Sequence, residues 1–193
     1  MLVMATEKQL EQIFNEELMP HIDSLFAFAY HLTGNEEDSN DLVQETYFKA
    51  FRSMESYQPG TNGKAWLFRI LKNAFINEYR RKIKGPVPTD FNDFNNILEE
   101  QEDSPLSSYS DMRVEMFDKM MGDEVTDAIN SLPANFRTVI LLCDVEDFSY
   151  EEIAAILDIP IGTVRSGLHR GRNLLREKLK SYARERGFFT DEE

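Results

Sequence analysis

A chain of 193 residues, 41% apolar and 29% charged, has room for one large domain or two small ones. Its longest apolar run, residues 138–143, is far too short for a bilayer span, and Glu7, Glu11, Glu16 and Glu17 stand where a secretory leader needs a basic start and an apolar stretch. A single cysteine, Cys143, excludes an internal disulfide framework, so a cytoplasmic setting and a small core side chain are expected.

The net charge of −14 is unevenly spread. Residues 1–84 carry 10 Lys/Arg against 12 Asp/Glu, residues 85–127 carry 2 against 12, and residues 128–193 carry 9 against 11. The acidity therefore sits in the middle. Within the flanking blocks, Lys64–Lys84 holds seven bases and one acid, and Ile161–Arg186 holds eight bases and two acids. Two such patches suit phosphate contacts whatever the total charge.

In chain order, Leu10, Ile13, Phe14 and Leu18 keep a helical spacing, and Pro20 is placed to open a second helix. Ile22, Leu25, Phe26 and Ala29 continue the period until Gly34 stops it. Asn35 can cap the next helix, whose first turn (Glu36, Glu37, Asp38) suits the helix dipole. That helix buries Leu42, Val43, Thr46, Tyr47, Ala50 and Met54, and turns Asp41, Gln44, Glu45, Phe48 and Arg52 to one outer stripe. Phe48 amid charges reads either as a protein contact or as packing beneath a neighbouring helix. After a Pro/Gly/Asn loop at 57–63, a long helix spans about Lys64 to Lys84, with Leu67, Ile70, Leu71, Ala74 and Phe75 inward. Trp66, Arg69, Asn73, Asn77, Arg80 and Arg81 lie on its other side, a mixture suited to gripping a backbone and holding unpaired bases. Trp66 reads equally well as core.

Gly85-Pro86-Val87-Pro88 ends that helix, and the acidic, Asn/Ser-rich stretch to about Ser110 predicts a flexible linker. Met116, Met120, Met121, Val125, Ala128, Ile129 and Leu132 restore a helical stripe, usually core or partner surface, which Pro133 breaks. Ser149-Tyr150-Glu151-Glu152 is a capping box opening a short helix through Leu157. Asp158-Ile159-Pro160 turns the chain into a second helix from about Ile161–Thr163, with Val164, Leu168, Leu175 and Leu179 inward. Arg165, Ser166, His169, Arg170, Arg172 and Asn173 face out. This is the pattern of a helix-turn-helix with a major-groove reading helix. Arg165, Ser166, His169 and Arg170 have base-reading chemistry, whereas Arg172 and Arg176 suit phosphates.

No alternating strand pattern occurs. The expected fold is all-α, two small helical domains: residues 1–85, an acidic linker 86–112, residues 113–186, and a tail 187–193.

Two sets of residues resemble sigma factors, the promoter-reading subunits of bacterial RNA polymerase. Residues 41–51 (DLVQETYFKAF), 65–70 (AWLFRI) and Asn73 resemble region two. Leu132-Pro133, Phe136-Arg137, Ser149–Ala154 and Gly162–Ser166 resemble region four. The length leaves no room for the extra domains of larger members, which points to the extracytoplasmic-function (ECF) group.

The resemblance implies that Asp41, Gln44 and Glu45, with Phe48 and Arg52 on the same stripe, bind core RNA polymerase. It implies that Asn73 and the Tyr57–Lys64 loop capture a flipped base of the minus-ten element, with Lys64, Trp66, Arg69, Asn77, Arg80 and Arg81 along the same DNA surface. Thr163, Arg165, Ser166, His169, Arg170 and Arg172 would serve the minus-thirty-five element. The linker would lie in the RNA exit path, and an anti-sigma protein is an implied partner. Three positions depart from the family pattern: Asp158 at a turn that often has Gly, Gly167 for a usual Arg, and Gly171 for a usual Ala. Each glycine weakens a helix by about 1 kcal/mol.

An ordinary helix-turn-helix regulator is the alternative, but it leaves the Asp41–Phe48 stripe and the Trp66–Arg81 face without a role. An interaction module that has lost DNA binding would not need the basic faces. No enzyme is expected: P-loop, His-Glu-x-x-His and Cys-x-x-Cys patterns are lacking, and His21, His31 and His169 have no metal-ligand spacing. The expectation is therefore no cofactor, no metal, no small-molecule substrate and no membrane insertion.

Overall fold

The computed structural model describes residues 7–82 and 123–187. Among them the secondary structure is helical throughout, without strands. The predicted linker, the Met116–Met121 part of the methionine stripe and the tail beyond Gly187 lie outside the described residues.

The first lobe begins with α1 (Glu7–Ile13), extended by a π-helical turn at Phe14–Leu18. Pro20 sits in a 3₁₀ turn, Met19–His21, where its missing N–H breaks no ladder, and α2 (Ile22–Thr33) follows. Gly34 ends α2 with φ +72°, its N–H donating to the Tyr30 carbonyl at 2.8 Å, the left-handed stop that Gly adopts freely. Asn35 then caps α3 (Glu36–Arg52), accepting from the Asp38 amide at 2.8 Å. A 3₁₀ turn at Met54–Ser56 and an exposed loop lead into α4 (Gly63–Lys82). Leu25, Leu32, Leu42, Leu67, Phe68 and Leu71 are almost completely buried among these helices.

The second lobe comprises α5 (Asp123–Asn130), α6 (Ala134–Ile140) with a π-helical extension Leu141–Val145, α7 (Tyr150–Leu157), α8 (Ile161–Lys178) and α9 (Lys180–Glu185). Both halves of the capping box at α7 are made: the Glu152 amide donates to the Ser149 hydroxyl, and the Ser149 amide donates to the Glu152 carboxylate at 2.8 Å. Asp158 adopts the left-handed conformation (φ +60°), so this departure from glycine keeps the helix-turn-helix corner. Gly167 and Gly171 of α8 mark where it crosses α6. A Cβ at Gly171 would stand 2.8 Å from Ile140 Cδ1 and 3.2 Å from Phe136 Cβ, and one at Gly167 would stand 3.3 Å from Val139 Cγ2. Close helix approach, which propensity alone cannot register, explains their presence.

The two lobes pack on each other, and their buried side chains form one cluster. Phe68 of α4 lies against Phe28 of its own lobe (centroids 5.1 Å apart) and edge-on against Phe148 of the other (5.0 Å). Both Phe68 and Phe148 are withdrawn from water, a burial that stabilises by roughly 1.5–3 kcal/mol for each such side chain. Polar contacts ring this seam. His31 on α2 meets Arg137 and Thr138 on α6; Lys64 at the start of α4 meets Glu146; Asn62 meets Glu152.

Candidate functional site

Three groups of sequence-predicted residues form three separate surfaces. The first runs along α3. Asp41, Gln44, Glu45, Phe48 and Arg52 are all exposed, because Leu42, Val43, Thr46 and Ala50 take the inward positions. Phe48 is 57% exposed, which decides between its two readings: it is a surface residue, with the Arg52 guanidinium 5.6 Å from its ring centre. Glu45 pairs with Lys49 at 3.0 Å one turn on. Phe51, absent from the expected site, is 52% exposed and stands edge-on to Phe14. Its place three residues after Phe48 was the signal that both aromatics share the outer side.

The second surface is α4 with the loop before it. Arg69, Asn73, Asn77 and Arg81 are exposed in successive turns, and Arg80 belongs to the same C-terminal stretch. Trp66 is half-buried, its ring 4.9 Å from that of Tyr57, so it joins loop to helix and packs on the core. Pro59 and Gly60 occupy the centre of a β-turn in which the Thr61 amide donates to the Gln58 carbonyl at 3.3 Å, Gly60 taking φ +77°. Asn62 caps α4 by accepting from the Ala65 amide at 3.0 Å. The carboxylate of Glu17 accepts from the Tyr57 hydroxyl (2.7 Å) and the Gly60 amide (3.0 Å), and these bonds hold its pKa below the usual carboxylate value. Burial and the Glu17 partner push the Tyr57 hydroxyl up to about 12.

Not every base on this helix faces solvent. Lys72 is buried, and Lys64 is engaged by the second lobe. Lys64 Nζ donates to the Glu146 carbonyl (2.9 Å) and lies 2.8 Å from its carboxylate, over the Phe148 ring. The Asn62 side-chain amide donates to Glu152, the carboxylate that closes the α7 capping box. Burial opposes ionisation of Glu152, but hydrogen bonds from Ser149 and Asn62 prevail and its pKa is lowered.

The third surface is α8. Thr163, Arg165, Ser166, His169 and Arg170 are exposed on one side, held there by burial of Val164, Leu168 and Gly171 on the other. Arg172 is exposed but not free. Its guanidinium forks onto Asp144 (Nε to Oδ2 3.1 Å) and also reaches Cys143 Sγ and the Tyr150 hydroxyl, and the Asp144 contact raises its already high pKa further. Cys143 is half-buried at that contact, and burial, with Asp144 beside it, raises its thiol pKa. Of the remaining histidines, His21 has a lowered pKa through burial and Lys64, and His31 is half-buried between the lobes. No cluster of metal-ligating side chains occurs among the described residues, and no described helix is long and apolar enough to cross a membrane.

The arrangement offers one mixed aromatic and acidic surface, one basic and amide-rich surface beside a turn, and one helix-turn-helix. Comparison with known proteins gives these surfaces a context. The chain matches Sigma-70 region 2 over residues 18–84 and Sigma-70 region 4 over residues 122–175. It is 39% identical to the ECF RNA polymerase sigma factor SigE of Mycolicibacterium smegmatis over 89% of this chain and 63% of that protein, so it spans somewhat under two thirds of that relative's length. It is 31% identical to the ECF RNA polymerase sigma factor EcfG of Rhodopseudomonas palustris, covering 86% of this chain and 84% of that one. Among solved structures it resembles the Bartonella quintana sigma factor RpoE in complex with the anti-sigma factor NepR, at 31% identity and a TM-score of 0.61, over 86% of this chain and 96% of the other. Region 2 and region 4, in that order on two helical lobes, together with this degree of identity, make the chain a sigma-70-type factor of the ECF group.

Proposed function

We propose that the chain binds core RNA polymerase through the α3 surface, with Asp41, Gln44, Glu45, Phe48 and Arg52 in contact, and directs it to promoter DNA. Exposed aromatics rimmed by charge suit a protein partner. Asn73 and the loop at 57–62 would take an unpaired base of the minus-ten element, with Arg69, Asn77, Arg80 and Arg81 along the strand and Trp66 stiffening the platform. Thr163, Arg165, Ser166, His169 and Arg170 would read the minus-thirty-five duplex in the major groove. The acidic segment 86–112 would follow the RNA exit path, and an anti-sigma protein would be the natural antagonist, as the relative bound to NepR suggests. The reaction belongs to the polymerase; this subunit supplies recognition.

One observation carries the reading: two unlike DNA-compatible faces, one for single strand and one for duplex, sit on separate lobes beside a third face suited to protein. A regulator that only binds duplex has no use for the other two. In the docked arrangement Asn62 and Lys64 are occupied by Glu152 and Glu146, so the minus-ten face must leave region 4 before it can take DNA. The test is run-off transcription with purified core polymerase, this chain and a promoter library. Discrete starts that need the chain, and vanish with Asp41→Ala/Gln44→Ala or with Arg165→Ala/Arg170→Ala, are expected. A folded chain, free of inhibitor, that neither binds core nor gives transcripts would leave a helix-turn-helix regulator in its place.

A further inference from the structure

We propose that Glu17 is a positioning residue for base selection: it fixes the loop at 57–62 in the shape that receives the unpaired base, without touching DNA itself. The inference rests on the loop's role proposed above. Residues 58–62 are exposed, so a short polar loop there needs ties to hold one shape. Glu17 supplies two from a single oxygen. Its Oε2 accepts from the Tyr57 hydroxyl at the loop's start (2.7 Å) and from the Gly60 amide at the tip of the turn (3.0 Å).

Three independent features converge on the same seat. The far end of the loop rests on the backbone that carries Glu17: a Cβ at Gly63 would lie 3.2 Å from the Glu17 carbonyl and 2.8 Å from both Leu18 Cδ2 and the Tyr57 hydroxyl. Tyr57 is itself clamped by stacking on Trp66, so the bond to Glu17 transmits the position of a buried ring and not of a mobile side chain. The π-helical turn Phe14–Leu18, anchored by Leu18 in the core and by the Tyr47 hydroxyl on the Leu18 carbonyl (3.0 Å), aims Glu17 at the loop. A carboxylate receiving two donors makes stronger bonds than a neutral acceptor would. A pocket that discriminates bases must hold its donors and acceptors fixed to a fraction of an ångström.

The experiment uses holoenzyme reconstituted from core polymerase and the full chain, offered a pool of single-stranded DNA with a randomised central hexamer. The bound fraction is sequenced. Wild type is expected to enrich one base by about tenfold or more at one position at least, the size of a good base contact. Glu17→Ala is expected to flatten that position to below about threefold while core affinity and total DNA retention change little. Glu17→Gln keeps an acceptor oxygen and should restore part of the preference. A residue that merely supports the fold would lower binding to all sequences alike and leave the enrichment pattern intact; that result overturns the proposal. Should Glu17→Ala fail to assemble, Tyr57→Phe removes one of the two ties and must weaken the same position, and an unchanged pattern in both Tyr57→Phe and Glu17→Gln also overturns it. If wild type binds core but enriches no base, base reading by this loop fails, which is a different result from failure of Glu17 alone.

Discussion

His31 and Arg137, 106 residues apart, form a hydrogen bond across the two lobes: the Arg137 Nε donates to His31 Nδ1 at 3.1 Å. The other ring nitrogen faces the Thr138 hydroxyl at 3.0 Å, and that hydroxyl already donates to the Ala134 carbonyl. His31 therefore sits as the neutral Nε2–H tautomer. Burial first, and the guanidinium second, lower its pKa to about 3.

A pH dependence follows. Between the ordinary value of 6.5 and about 3, the unfolded chain binds a proton that the docked form refuses. Stability is fully present above the ordinary value and is lost as pH falls through that window. Near pH 5.5 the loss should reach about 1.4 kcal/mol, and the carboxylates Glu17 and Glu152 add to it only below their own ordinary value of 4.5. Urea midpoints measured near neutrality and near pH 5.5 should differ for wild type, and His31→Gln should remove most of the difference.

Glu146→Gln should loosen the lobes. It takes the charge from a side chain only 8% exposed and leaves Lys64 with neutral oxygens in place of the ion pair. A weakening of about 1–3 kcal/mol in docking is expected. Small-angle scattering should show a larger radius of gyration, and the free chain should bind single-stranded DNA more tightly. An unchanged radius and affinity would mean that the apolar seam alone sets the docking.

Arg172 and its neighbours should separate by readout. Arg165→Ala and Arg170→Ala should each weaken binding to a minus-thirty-five duplex by about 1–3 kcal/mol with little change in melting. Arg172→Ala breaks the fork to Asp144, both partners being more than a third exposed, so a stability loss of about 0.5–1 kcal/mol and a smaller DNA effect are expected. Duplex titrations and thermal melts on the three variants distinguish the roles.

Gly171→Ala sets helix propensity against packing. Alanine gains about 1 kcal/mol in an isolated helix. Here its Cβ would press on Phe136 and on Ile140, which is buried and cannot swing aside, an overpacking of typically 1–3 kcal/mol. The net expectation is a modest fall in melting temperature, whereas Gly187→Ala at the exposed end of α9 acts only through its positive φ.

What the sequence made legible was local. Gly34, Asn35, Ser149 with Glu152, and Asp158 each form the stop, cap, box or corner their chemistry predicts, because the partner lies within four residues. The exposed faces of α3, α4 and α8 followed from helical period. The failures were of range. A count of bases could not tell that Lys64 is taken by a carboxylate 82 residues away or that Arg172 is taken by Asp144. Nor could it choose between docked and separate lobes, since that depends on whether Phe68 finds Phe148. Glu17 looked like one of four early acids, and only the folded loop singles it out.

The contact between Asn62 and Glu152 joins two helix caps, and each cap is complete without the other. Asn62 serves α4 with its oxygen and spends only its amide hydrogens outward; Glu152 closes its own box with one oxygen and offers the second. When the lobes part, neither helix end unravels and no segment must refold around the loop. Release is then a rigid separation that must open the Phe68–Phe148 seam to water and break the polar contacts around it. In the role proposed for the loop at 57–62, polymerase would then meet it already in its working shape, without a folding delay before DNA capture.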